Sequence, residues 1–478
     1  MLALVAVGGT RLVHGSLTSH ATDRTSYGVV GVMLAASTIA SLLLPGGLSS
    51  STAKFVAYHR GAGDVAGAWA VHRFLGRLGL GASVALGVLT AVVLQRIYQL
   101  GTVDTVSLAI LTATYSLYTL DKSAMYGHGL VSQYAKIELA TSVVAIISTV
   151  VVILTRQAMF LLPLCIGYGT FILLCRRQLH AWRQRDRAGV SAGFDRREVI
   201  GFTVLGSIGT LASAGFLQGT QLLAGHFAAP SQVAYVVAAV ALIAPLYFLP
   251  RAMALAMFPA MAGARGAGDR KAVRTQVDVS TRGLALTMTP MLLAGMIGAP
   301  LVLGVFGGAG YAGGAGVLRL MLCASFFGIL QIPSVNALAS GPPAQARIPV
   351  LSAVVGCLIG LCVVAVVARP LGAAGVGLGY LVGTAVTATI PILVTWRLHR
   401  LAWASTLARC TGLLTAGALL VQIDALQTWS WTAAAVTAGA LAGTLALVGG
   451  DLHRLLRFAR SSQTRRFPSD SMATESLR

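Results

Sequence analysis

Apolar residues run along this chain in long blocks broken by short polar clusters. A helix needs about 20 residues to cross the hydrocarbon core of a bilayer. Apolar windows of that size lie near 1–20, 27–51, 78–98, 103–121, 138–155, 158–175 and 198–225. Others lie near 231–258, 283–306, 316–340, 347–368, 371–396, 402–423 and 429–449. The pattern predicts an all-α integral membrane protein with about 14 transmembrane helices. Windows 347–368 and 371–396 are separated only by Arg369-Pro370, which predicts a tight hairpin there. Met1–Val7 is apolar, but no basic segment precedes it and Arg11 and His14 interrupt the run, so it reads as a first membrane helix rather than a signal peptide.

Composition agrees with a lipid solvent. Hydrophobic residues make up 56% of the 478 and charged residues 10%, against roughly 25% charged in soluble domains. Mean hydropathy is +0.79. The formal net charge of +21 does not point to nucleic acid, because the charges sit in short clusters between apolar runs; anionic lipid headgroups are the expected partner. The six cysteines all fall in apolar stretches without a CxxC pair, which argues against disulfide or metal roles. No nucleotide-binding loop, metal cluster or catalytic triad is present, so neither a cofactor nor an enzymatic activity is expected.

The basic residues orient the windows. Lys and Arg collect in cytoplasmic loops. They cluster at Lys54–Arg77, at Lys122 and Lys136, at Arg176–Arg197, at Arg251–Arg282, at Arg347, at Arg397 and Arg400, and in the tail from Arg454. Only Arg24, Arg96, Arg156 and Arg369 fall in the opposite loops. This alternation predicts an even number of crossings with both termini in the cytoplasm, and a multi-pass location in a bacterial inner membrane.

The chain also repeats itself. Arg60-Gly61-Ala62-Gly63-Asp64 recurs as Arg265-Gly266-Ala267-Gly268-Asp269, and at the same offset Pro45 meets Pro250 and Ala57 meets Ala262. The repeat divides the chain into a six-helix bundle over 1–175, a basic linker over 176–197 and a second six-helix bundle over 198–396. Two additional helices over 397–450 and a basic, partly disordered tail over 451–478 follow. Pro45 and Pro250 are candidate hinges. Parallel repeats of this kind place a transporter's site between two bundles.

At this point the chain resembles the multidrug/oligosaccharidyl-lipid/polysaccharide (MOP) exporter superfamily, and within it the bacterial polysaccharide-type flippases. The likeness is carried by Tyr27-Gly28, by Ser51–Ala57, by Phe258-Pro259-Ala260-Met261, by Leu303–Tyr311 with Leu318-Arg319-Leu320, and by Leu371–Val376. It spans nearly the whole chain and implies a V-shaped pair of bundles, alternating access and a cargo such as an undecaprenyl-diphosphate-linked oligosaccharide. Polysaccharide polymerase and glycosyltransferases are its implied partners.

Such a cargo needs a hydrated, cationic path through the bilayer, because an unshielded dianion in hydrocarbon is prohibitively costly. Charges retained at membrane depth are therefore candidates. Arg11 and His14 share a face of the first helix and could anchor a diphosphate; Lys54 and Arg251 could meet headgroups; Arg24 lies at the outer end. Gln218 and Gln221 share a face suited to sugar hydroxyls or to helix–helix hydrogen bonds. Ordinary interfacial anchoring is the competing reading of the cations. Asp121 and Glu138 are the candidates for a coupling ion, with Asp121 open to neutralisation by Lys122; Asp424 lies at another span end. Residues 347–396 contain no Asp, Glu, Asn or Gln, which argues against a sodium site in that region. The competing functions are a MATE-like multidrug or metabolite exporter of the same fold, which would want buried acids and aromatics, and an integral-membrane polymerase or glycosyltransferase, which would want a large outer loop.

Overall fold

The structure is a computed structural model. It describes residues 2–186, 193–248, 269–423, 426–428 and 430–464, with single positions between 250 and 264. The described residues form 16 α-helices and no strand. In order these are α1 (Leu2–Ala21), α2 (Arg24–Leu42), α3 (Leu44–Gly61), α4 (Val65–Tyr98), α5 (Thr102–Gly127), α6 (Val131–Leu154), α7 (Leu162–Arg185) and α8 (Arg196–Phe227). They continue as α9 (Pro230–Ile243), α10 (Arg270–Ile297), α11 (Ala299–Gly307), α12 (Ala315–Leu330), α13 (Ile332–Ala339), α14 (Pro343–His399), α15 (Ala404–Leu420) and α16 (Trp431–Thr464). Six helical stretches are long and apolar enough to cross a membrane among the described residues, or eight if each bent pair is one span.

The apolar windows lie mainly on these helices, but not one for one. Window 27–51 is broken at Leu43, whose ψ of −122° is not helical, and Pro45 starts α3 in its first turn. Proline is tolerated there because the first-turn N–H has no helical acceptor. The two windows around Arg369-Pro370 form one continuous helical assignment, α14, folded back on itself at Gly372 with φ +57°. The turn falls two residues after the predicted proline. Positive φ suits a glycine and is closed to proline. The two arms meet through Gly360, Gly379 and Gly383, where an added Cβ would strike the facing backbone. Small residues allow this close approach of membrane helices.

Scarce carboxylates begin helices. The side chains of Asp23, Asp64, Asp195 and Asp269 accept from backbone N–H groups in the first turns of α2, α4, α8 and α10, satisfying donors that have no helical partner. Donation from the Ser26 hydroxyl and amide holds the Asp23 carboxyl below its ordinary range. The repeated pentapeptide closes alike in both copies. Asp64 N donates to His59 O at 2.9 Å and Asp269 N to Ala264 O at 2.8 Å. Asp64 Oδ1 accepts from Gly67 N at 2.7 Å and Asp269 Oδ1 from Ala272 N at 2.8 Å. Arg265–Gly268 and the surroundings of Pro250 lie outside the described residues.

Two compact units emerge. The first comprises Met1–Phe248, Leu303–Met321 and Ala353–Gly383; the second comprises Leu249–Val302, Leu322–Ser352 and Thr384–Arg478. In the first, α3 packs on α4, α5 and α8, α1 packs on α6, and α7 packs on α5 and α6. One apolar cluster includes Trp69, Met125, Tyr134, Phe171 and Leu179; another includes Leu48, Phe55, Leu75 and Leu120. The α3–α8 contact is made by small residues. Gly46 and Gly47 lie against Thr203, Ser207 and Thr210, and the Ser51 and Thr203 hydroxyls are 2.7 Å apart. The outward faces are apolar: on α4, Val84, Val88 and Leu89 are each more than half exposed. A continuous apolar surface of this kind needs lipid as its solvent, and the chain is a multi-pass membrane protein.

In the second unit α10 packs on α13, α15 and α16. Asp278 on α10 accepts from Arg282 Nε at 2.9 Å and from Trp403 Nε1 at 2.8 Å. Arg282 also donates to Ala402 O, and Arg274 to Arg400 O. The short connection 400–403 between α14 and α15 is thereby tied to α10.

Candidate functional site

Four polar or concave features stand out against this apolar background. The first is a cleft between α1, α5, α6 and α7 in the first unit, lined by Val7, Thr10, Arg11, Tyr118, Glu138 and Tyr168 among others. Arg11 Nε donates to Tyr168 Oη at 3.2 Å, and its guanidinium carbon lies 4.6 Å from the centre of the Tyr115 ring. Glu138 is 4% exposed and accepts from Tyr118 Oη at 3.0 Å. Lys122 stands over the Tyr118 and Tyr134 rings at 5.7 and 5.4 Å. An aromatic shell and a carboxylate thus surround a guanidinium inside the helical packing. The cleft measures about 20 Å³, room for about one water.

His14 shares the Arg11 face of α1, as the spacing of three predicts, and turns to α6: Nδ1 is 3.0 Å from Thr149 Oγ1, and the residue is buried. Asp121 is buried and accepts from Arg176 Nε at 3.0 Å; the cation from α7 is the ion-pair partner that sequence reading sought in Lys122. The tyrosines were not among the sequence candidates. Tyr115, Tyr118 and Asp121 follow at intervals of three, which places them along one side of α5.

The second feature lies at the turn between α1 and α2. Arg24 Nη1 donates to Tyr235 Oη on α9 and, at 3.3 Å, to Gly310 O. Ser16 and Ser19 each donate to Phe306 O at 2.8 Å. The Tyr27 ring meets Phe306 and Tyr311 edge-on. The glycine-rich segment Leu303–Tyr311 is therefore held through its backbone carbonyls. Arg24 acts there as a strap.

The third feature joins the ends of α3, α4, α5 and α7. Arg60, from the first copy of the repeat, donates to Asp186 Oδ2 at 2.8 Å and to Oδ1 at 3.4 Å. Trp69 Nε1 donates to the same carboxylate at 3.0 Å. The His128 ring stacks on Trp69 at 4.1 Å, with Nδ1 3.1 Å from Arg60 Nη1. The Arg60 bond holds the Asp186 carboxyl below its usual range. Burial, with His72 and Arg60 nearby, pushes the His128 imidazole down to about 3.

The fourth is a groove of about 320 Å³ in the second unit, lined by Leu286 on α10, by Thr406, Arg409, Cys410 and Leu413 on α15, and by Leu447 on α16. In the sequence these residues are spread over three separate apolar windows, and Arg409 is the one charge among them.

The remaining candidates are dispersed. Lys54 is exposed on α3, its ammonium 4.0 Å from the centre of the Phe202 ring. Gln221 is buried on α8 and donates to Gln218 Oε1 at 3.0 Å, a pairing within one helix. Arg251 and Asp424 lie outside the described residues. Among the described residues no group of three or more His, Cys, Asp and Glu could hold a metal ion.

No family model matches the sequence, and no curated protein matches it. Solved structures match the fold. The structure of a multidrug resistance MATE family transporter of the MOP superfamily, in an inward-facing conformation, aligns with a TM-score of 0.67 at 15% identity over 84% of this chain and 95% of that one. The lipid II flippase MurJ, in an inward closed conformation, aligns with a TM-score of 0.59 at 12% identity over 94% of this chain and 99% of that one. A MOP superfamily transporter from Pyrococcus furiosus aligns with a TM-score of 0.54 at 15% identity over 83% and 95%. The chain has the fold shared by these transporters.

Proposed function

We propose that this protein is a transporter that flips lipid-linked (undecaprenyl-diphosphate) oligosaccharide across the bacterial cytoplasmic membrane by alternating access, for cell-surface polysaccharide assembly. In this reading 1–175 and 198–396 are the two bundles that move, 397–450 is the added helix pair, and both termini are cytoplasmic. Glycosyltransferases would supply the cargo and a polymerase would consume it.

The observation that carries the reading is the apolar groove formed by α10, α15 and α16. Its volume of about 320 Å³ lies in the range of ligand sites, roughly 300–1,000 Å³. The groove is lined mainly by apolar side chains with Arg409 among them, which suits a polyprenyl chain ending in phosphate. The comparison with the lipid II flippase adds support.

Headgroup cations are assigned by space. A diphosphate does not fit a 20 Å³ cleft, so Arg11 and His14 are withdrawn from that role in this conformation. Lys54, exposed on α3, is retained for it. The higher TM-score of the multidrug transporter favours a second reading, export of a small organic compound. The two separate on Leu413→Trp and Leu447→Trp, which fill the groove. They should lower transport of a polyprenyl-linked glycan at least tenfold and leave export of a small cationic dye unchanged. Undiminished glycan transport by both variants would remove the groove from the function.

A further inference from the structure

Two carboxylates are buried among the described residues, Asp121 and Glu138. Asp121 is held by Arg176. Glu138 faces a different environment: the Tyr118 hydroxyl donates to it, and Thr10, Thr141, Ser142 and Tyr168 line the same cleft. One carboxylate among hydroxyl oxygens is a donor set suited to a hard cation, which takes oxygen ligands. The chain supplies a cation of its own at that place. Arg11 enters from α1, bonded to Tyr168 and lying against Tyr115, and the cleft that remains has room for about one water. Lys122 flanks the other side, over Tyr118 and Tyr134.

We propose that Arg11 is a tethered cation occupying an oxygen-lined alkali-cation site on Glu138, so that this transporter takes no sodium ion there. Arg11 is then a specificity-determining residue: it fills the cleft beside Glu138 and, with Lys122 on the other side, supplies the positive charge there. The charges explain the choice. Arg11 and Lys122 against Glu138 leave one net positive charge in the cleft, and adding Na⁺ would raise it to two inside low-dielectric packing, which is costly. Arg11→Gln lowers the net charge to zero and removes the guanidinium from the cleft. A bound Na⁺ would then restore the native charge. Arg11→Lys keeps a tethered cation and keeps the site closed.

The inference rests on reading the chain as a transporter, but its test contains no cargo, so it can fail while the lipid-linked glycan reading stands, and the reverse. Purified full-length protein is unfolded by heat in detergent, followed by intrinsic fluorescence, in NaCl and in choline chloride at equal ionic strength. Wild type and Arg11→Lys should show no Na⁺-specific difference. Arg11→Gln should gain a saturable Na⁺ stabilisation of at least tenfold in the folding equilibrium, and Arg11→Gln/Glu138→Gln should lose it. Saturable Na⁺ stabilisation of the wild type, or its absence in an Arg11→Gln protein that unfolds cooperatively, would overturn the proposal. Should Arg11→Gln fail to fold, radioactive ²²Na⁺ binding to wild type, Arg11→Ala and Arg11→Ala/Glu138→Gln decides. Saturable binding to Arg11→Ala that the other two lack upholds the tethered cation, and binding to the wild type, or none to folded Arg11→Ala, refutes it.

Discussion

Replacing Asp186 by alanine removes one carboxylate that serves the ends of three helices. It receives Arg60 from α3 at 2.8 and 3.4 Å and the Trp69 indole from α4 at 3.0 Å, just past the end of α7. The Arg60 and Asp186 side chains are 21% and 14% exposed. Exposed ion pairs contribute about 0–1 kcal/mol, whereas removing one partner of a buried pair costs about 3–5 kcal/mol. This pair is mostly buried but reaches solvent, and a charge-assisted bond contributes about 1.5–3 kcal/mol. The expected cost of Asp186→Ala is therefore about 2–3 kcal/mol. Asp186→Asn keeps an acceptor for Trp69 and loses the charge, so about half that loss is expected. Thermal unfolding in detergent micelles, followed by tryptophan fluorescence, measures both. A double-mutant cycle with Arg60→Met isolates the pair and should give a coupling of about 1–2 kcal/mol. A coupling within about 0.3 kcal/mol of zero would refute the assignment of this cluster as the anchor of α3, α4 and α7.

Three further outcomes follow from the same geometry. His128 is held neutral, with its imidazole pushed from the ordinary 6.5 down to about 3. Above pH 6.5 it exacts no penalty; as pH falls below 6.5 the unfolded chain takes up a proton that the folded one refuses, costing about 2 kcal/mol by pH 5. His128→Gln should flatten the stability profile between pH 6.5 and 5, and an unchanged slope would count against the burial of this ring. Gly47→Val forces a side chain into the Thr203 carbonyl on α8, so overpacking of about 1–3 kcal/mol is expected; a melting temperature equal to the wild type would show that α3 and α8 do not approach this closely. Arg24→Ala removes the guanidinium bonded to the Tyr235 hydroxyl and the Gly310 carbonyl and leaves that carbonyl held by Tyr235 alone, and amide exchange across 308–312 should rise about tenfold, equivalent to 1.4 kcal/mol. Exchange at the native rate would deny Arg24 its strapping role.

Much of the fold is written in local sequence. Apolar blocks mark the helices because in lipid every backbone group must be satisfied within its own segment. Four of the few aspartates sit where helices begin, and the repeated Arg-Gly-Ala-Gly-Asp closes with the same two hydrogen bonds at Asp64 and Asp269. The hairpin within α14 was legible to within two residues, since Arg369-Pro370 interrupts the apolar run but the positive φ falls on Gly372. The site was less legible. Arg11 and His14 share a face as spacing requires, yet their partners, Tyr168 and Thr149, are 157 and 135 residues away, and nothing local selects them. Arg60 was read as one cation among many in a basic loop; its pairing with Asp186 closes over 126 residues. The groove of α10, α15 and α16 needed three helices brought together before its shape existed.

The central claim concerns cargo, and one measurement addresses it directly. The protein is reconstituted in liposomes carrying a fluorescent undecaprenyl-diphosphate oligosaccharide, and movement to the opposite leaflet is read by quenching with a membrane-impermeant reductant. The account predicts complete quenching with the wild type, and about half, the outer-leaflet share, for Leu413→Trp and for protein-free liposomes. Half-quenching with folded wild-type protein that nonetheless moves a small cationic dye would contradict it and return the chain to the drug-exporter reading.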